Sequence, residues 1–113
     1  MHINYYTKHI DLEEEISQEM EKKMAKFEKF ADEATLIDLT VEGDLPKKIV
    51  KVSLHYNDAT HSFYACEEAK DVMTAFNTAK EELFTEITRV IGKERDQSRS
   101  KARQAKETIR QTS

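Results

Sequence analysis

Glycine, proline and cysteine are scarce in this chain of 113 residues: two glycines, one proline and one cysteine, with no tryptophan. With only Gly43 and Gly92, there is no glycine-rich phosphate cradle, no P-loop and no nucleophile elbow. The single Cys66 cannot form an internal disulfide, which fits a reducing cytoplasm. As a nucleophile it would need a histidine partner and an activating environment. Its strand-like surroundings instead make it a half-buried strand residue. No run approaches the roughly 18 apolar residues of a membrane span. The first residues, MHINYYTKHI, lack the basic-then-apolar plan of a signal peptide. A cytoplasmic location without a membrane partner is expected.

What the chain has in quantity is charge. Charged residues make up 35% of it and hydrophobic ones 38%, with a net charge of −4. The distribution matters more than the sum. Residues 1–88 carry 10 basic and 19 acidic side chains, a net of −9, whereas residues 89–113 carry 8 and 3, a net of +5. The expected organisation is one domain over residues 1–92 followed by a basic tail over 93–113, since the length suits a single modest core.

Periodicity assigns the elements. His2–Tyr6 is short, aromatic and β-leaning. Asp11 opens a helix, with Glu14 as a capping-box-like partner. Leu12, Ile16, Met20, Met24, Phe27 and Phe30 recur at spacings of four, four, four, three and three. One apolar face follows, and a helix over residues 12–31 is predicted. The period then becomes two. Ile37, Leu39 and Val41 alternate with polar neighbours, as do Val50, Val52, Leu54 and Tyr56, and the run from Thr60 to Cys66 makes a fourth strand. Gly43, Asp44 and Pro46 mark one turn and Asn57-Asp58 the next. Asp71 caps a second helix with Val72, Phe76, Ala79, Leu83, Ile87 and Val90 or Ile91 inward, and Gly92 as its C-cap. The order β-α-β-β-β-α predicts an α+β two-layer sandwich: a parallel crossover, then an antiparallel meander, with two helices on one face of a four-stranded sheet.

Catalytic chemistry finds no support in these residues. His55 and His61 could face each other across a hairpin, but a third ligand at fixed spacing is missing and they read as surface strand residues. Neighbours on a helix point about 100° apart, so Glu81-Glu82 is no converging acid/base pair. It reads, like Glu67-Glu68, as solvated charge. No cofactor and no metal are called for. Binding has more to stand on. Lys22, Lys23, Lys26 and Lys29 cluster on the C-terminal half of the first helix, where the helix dipole also favours cations. Lys80 and Arg89 add to them from the second helix, and Lys93, Arg95, Arg99, Lys101 and Arg103 from the tail. Such a patch is a plausible footprint on RNA phosphates. Without interleaved aromatics, sequence-specific single-strand reading is not expected.

The run from Asp11 to Phe30, DLEEEISQEMEKKMAKFEKF, resembles the first helix of the ribosome hibernation-promoting factors, the family of the ribosome-associated inhibitor called protein Y. The match is carried by Lys23, Met24, Ala25, Lys26, Phe27, Glu28 and Phe30. Residues 68–77, EAKDVMTAFN, resemble the family's opening of the second helix, with Met73 where tyrosine is usual. Strand order and spacing agree from residue 1 to about residue 93. The resemblance implies a domain similar to double-stranded-RNA-binding domains. It would dock in the decoding channel of the small ribosomal subunit, mainly on ribosomal RNA, and block mRNA and A- and P-site tRNA. Translation would stop under stress or in stationary phase, with no enzyme activity and no small-molecule substrate. Longer members add a dimerising domain, so this chain looks like a short form. The family's second helix usually continues K-L-x-R-Q-L-x-K. Here Glu82 and Thr85 stand at two basic positions and Glu86 replaces the amide, while Arg89 keeps its charge. The alternative expectation is a divergent member acting as a protein-interaction module, its acidic face turned to a basic protein.

Overall fold

The computed structural model describes residues 1–92. The elements are β1 (His2–Lys8), α1 (Glu14–Met24) continued by a 3₁₀ turn (Ala25–Lys29), β2 (Leu36–Asp44), β3 (Ile49–Asn57), β4 (Ser62–Ala69), and α2 (Val72–Ile87) closed by a π-helical turn (Thr88–Gly92). Strands lie in the order β1-β2-β3-β4. β1 runs parallel to β2, with Tyr5 opposite Leu39. The two following pairings are antiparallel, with Leu39 opposite Leu54 and Leu54 opposite Ala65. The expected α+β sandwich is therefore what forms.

Its core is the inner sheet face under the two helices. Ile37, Leu39, Val41, Val52, Leu54 and Tyr56 are fully buried against Met20, Met24 and Phe27 on one side and Phe76, Ala79, Leu83 and Ile87 on the other. Ile91, not Val90, completes the α2 face, because Ile91 is buried and Val90 only half-buried. Asp71 caps α2 as expected, its carboxylate accepting from the Thr74 N–H at 2.9 Å.

Three local expectations change. The capping box at Asp11 does not form: α1 starts at Glu14 after Glu13, whose side chain makes no cap bond. Ile10 and Leu12 pack on the core from the approach segment, so the chain is still outside the helix there. The C-terminal end of the predicted helix is a 3₁₀ turn rather than α-helix. Finally, β4 continues past Cys66 to Ala69. One close approach fixes the crossover side: a Cβ on Gly43 would sit 2.7 Å from the carbonyl oxygen of His9, which itself adopts a positive φ of 56°.

The β3–β4 turn is organised by Asp58. Its carboxylate accepts from the backbone N–H of Thr60 at 2.8 Å and of His61, and lies 3.1 Å from His61 Nδ1. The hydroxyl of buried Tyr56 donates to Phe30 O at 3.3 Å and to Asp58 at 3.4 Å. Burial works to raise the Asp58 carboxyl, but the hydrogen bonds from Thr60 and His61 outweigh it and hold it below 3.8. Replacing Asp58 by alanine strands these donors and is expected to cost about 1–2 kcal/mol, read as a lower urea midpoint. Because the native carboxyl is the stronger acid, its contribution is complete above the unfolded value and fades as pH falls through the native one. The gap between wild type and Asp58→Ala should therefore be full at pH 7 and close in acid. A gap independent of pH would sink the assignment.

Candidate nucleic-acid interface

The end of α1 and its 3₁₀ turn lie beside α2, and three of the lysines expected to bind RNA, Lys23, Lys26 and Lys80, meet along that seam. Lys22 is exposed and makes no ion pair among the described residues. Lys23 is half-buried. Its Nζ donates to Asn77 Oδ1 of α2 at 3.1 Å and lies 3.6 Å from Glu19. Lys26 crosses the seam, its Nζ 2.9 Å from Glu81 and 4.0 Å from the centre of the Phe84 ring. Lys29 lies over the Phe30 ring at 5.7 Å. In both, the ammonium itself lies over an aromatic face, a cation–π contact worth about 0.5–1 kcal/mol at an exposed site.

Lys80 joins them from the opposite side. Expected among the RNA-binding cations, it is only 8% exposed, with its ammonium 3.2 Å from Glu81. Position 80 lies on the flank of the inward stripe, where a long aliphatic stem can be covered while its end reaches outward. Glu81 thus bridges Lys26 and Lys80. Hydrogen bonds from Lys26 first and Lys80 second hold its carboxyl below the ordinary glutamate range. Sequence reading missed this bridge because it took Glu81-Glu82 as solvated charge. The Lys26–Glu81 pair is part-exposed and such pairs contribute little stability, so a phosphate can take over the Lys26 ammonium at small cost, whereas Lys80 is mostly covered. Arg89 stands apart, bonded at 2.6 Å to Glu86 on its own helix. Lys93, Arg95, Arg99, Lys101 and Arg103 lie outside the described residues, as does the tail.

The remaining candidates separate. His55 and His61 do not face each other: His55 Nε2 lies 3.0 Å from Ser62 and its ring sits edge-on to Tyr64, while His61 belongs to the Asp58 turn. Among the described residues no group of three or more His, Cys, Asp or Glu side chains is placed to hold a metal. Cys66 is half-buried in β4, its Sγ 3.6 Å from the Ser53 hydroxyl. Among the described residues no helix is long and apolar enough to cross a membrane.

Glu82 is exposed, as its reading as solvated charge expects, but it has a neighbour that the reading did not foresee in half-buried Glu67. Glu67 pairs with Val52 in register, so it shares the helix side of the sheet, and it meets Glu82 of α2. A hydrogen bond shared with Glu67 holds the Glu82 carboxyl above the ordinary glutamate value, with burial and charge repulsion adding to the effect.

The β-α-β-β-β-α sandwich defines the class: a small α+β domain with a four-stranded mixed sheet and two helices. By family comparison, residues 3–95 match the Sigma 54 modulation protein / S30EA ribosomal protein family. The chain belongs to that family, in agreement with the resemblance to hibernation-promoting factors. Among solved structures it is similar to a ribosomal subunit interface protein from Coxiella burnetii, at 18% identity and a TM-score of 0.72, covering 81% of this chain and 99% of that one. It is also similar to the Protein Y N-terminal domain of Thermus thermophilus, at 19% identity and a TM-score of 0.67, covering 79% and 98%. At these identities the two structures speak for the fold. Comparison with curated protein sequences gives no significant match.

Proposed function

We propose that this protein is a non-enzymatic, ribosome-associated translation inhibitor that binds the small subunit in its decoding channel and blocks mRNA and A- and P-site tRNA under stress. The observation that carries the reading is the convergence of Lys23, Lys26 and Lys80 on one seam, with Lys22 and Lys29 on the same end of the first helix, in a domain whose family is described as ribosomal. In this reading their ammonium groups meet phosphates of ribosomal RNA. The acidic residues of α2 reduce what that helix adds, and the basic residues of 93–113 supply further phosphate contacts.

Sedimentation tests this reading. The protein should travel with small subunits or whole ribosomes at low salt and leave them as salt rises, with protection of decoding-channel RNA in footprinting. Absence from ribosomal fractions of starved cells would overturn it. Removing residues 93–113 takes away seven basic and three acidic side chains. The dependence of log affinity on log salt should become shallower by roughly three to six, at about 0.7–0.9 per lost phosphate contact. An unchanged slope would show that the tail makes none of these contacts.

A further inference from the structure

β4 is an edge strand, hydrogen-bonded on one side only, to β3. The Asp58 N–H donates to the His61 carbonyl at 2.9 Å, which marks 58 and 61 as a hydrogen-bonded pair of the hairpin. Antiparallel pairs alternate. Counting from that pair leaves the backbone N–H and C=O of Ser62, Tyr64 and Cys66 pointing away from β3. Alongside runs α2, and between the two lies a groove of about 890 Å³. Four consecutive residues, Ser62 to Ala65, line it, as is natural for an open strand edge, because residues inside a sheet alternate between its faces. Glu81, Glu82 and Glu86 form the opposite wall.

The charge of that wall selects its occupant. Glu81 is engaged by Lys26 and Lys80, and Glu86 by Arg89. Glu82 stands on the wall and Glu67 on the helix side of β4 just beyond the groove's lining, and no ion pair among the described residues engages either. An RNA strand would meet carboxylates here. A second copy adding its own β4 would set one acidic wall against another. An extended cationic segment meets neither obstacle.

We propose that the β4–α2 groove takes an extended, basic peptide segment of another protein, which adds to β4 as a fifth strand and sets a lysine or arginine against Glu67 and Glu82. Main-chain bonds to Ser62, Tyr64 and Cys66 hold it, and alternate side chains face the acidic wall, the division of labour in strand addition generally. The groove adjoins the lysine seam and shares Asn77 and Glu81 with it, but strand addition uses the β4 edge and Glu82, so this inference does not depend on ribosome binding.

The probe is a fluorescein-labelled ten-residue peptide of alternating arginine and threonine, titrated by anisotropy into the full-length chain. Saturable binding is expected, with amide NMR shifts concentrated at residues 62–66. A peptide of equal charge with prolines at the positions facing β4 should bind at least tenfold more weakly. Glu82→Lys should lose about tenfold or more. Tyr64→Pro, which removes an outward N–H but no bond to β3, should do the same with a native melting transition. Equal binding of the proline peptide would overturn strand addition. So would shifts confined to other faces, or unchanged affinity in Glu82→Lys, which has no fold-breaking mechanism. Binding seen only when the Lys and Arg residues of 93–113 are replaced by glutamine would make the chain's own tail the occupant and overturn a partner segment.

Discussion

Reversing Lys22, Lys23, Lys26 and Lys29 to glutamate is expected to weaken binding to small ribosomal subunits by about 1000-fold or more at physiological salt. Each phosphate contact releases about 0.7–0.9 of a counterion. At about 0.15 M salt that release is worth roughly a factor of four to six per contact, so four contacts approach three powers of ten. Reversal also adds repulsion, so the figure is a lower bound. The salt slope should flatten by roughly three to four. The lysines are not equivalent in the folded protein, and single variants exploit this. Lys22 is exposed and without an ion pair among the described residues, so Lys22→Ala should cost several-fold in affinity and nothing in stability. Lys26 is seated on Phe84 and paired with Glu81, so Lys26→Ala should show both effects, with Glu81 still held by Lys80. If the fourfold reversal keeps its native melting transition and loses less than tenfold in affinity, the seam is not the ribosome-facing surface.

The sheet and both helices were legible because their burial is periodic. Ile37, Leu39 and Val41, and Val50 through Tyr56, alternate so regularly that a slip of one residue would expose the whole set. Even the 3₁₀ turn had a signature. The apolar spacing of α1 shortens from four to three after Met24, and the 3₁₀ geometry, with three residues per turn, begins at Ala25. The lysine patch was legible in part, since Lys22, Lys23, Lys26 and Lys29 are near in sequence. What could not be read was contact between distant elements. Glu67 meets Glu82 across fifteen positions, and Lys26 meets Glu81 across 55. A helix pattern shows which side faces inward, not which residue of its rim will touch a neighbouring strand. Lys80 is expected among the RNA-facing cations of the second helix, whereas its stem is covered on the flank of the buried stripe, a placement that charge alone does not reveal.

Phe27→Ala is expected to destabilise the protein by about 3–5 kcal/mol, the usual cost of removing a fully buried phenylalanine. Phe27 is 0% exposed. Its ring stands edge-on to Phe84 at 5.9 Å, and Phe84 also meets Phe30 at 5.5 Å. The short 3₁₀ turn has little hydrogen bonding of its own to fall back on, so this aromatic cluster is what ties it to α2. A domain of this size holds about 5–15 kcal/mol in all. At about 4–8 °C per kcal/mol, the melting temperature should fall by at least about 12 °C, and Phe27→Leu, which refills most of the space, should lose much less. The turn carries Lys26 and Lys29 on either side of Phe27, so loosening it also unseats the seam. Ribosome affinity should then fall even at temperatures where the variant remains folded, although every lysine is intact. A Phe27→Ala protein with a melting shift under about 5 °C would mean that the 3₁₀ turn is held by something other than the ring stack. Full stability loss with unchanged affinity of the folded fraction would mean instead that the lysines act through their flexible stems alone, independent of the backbone that presents them.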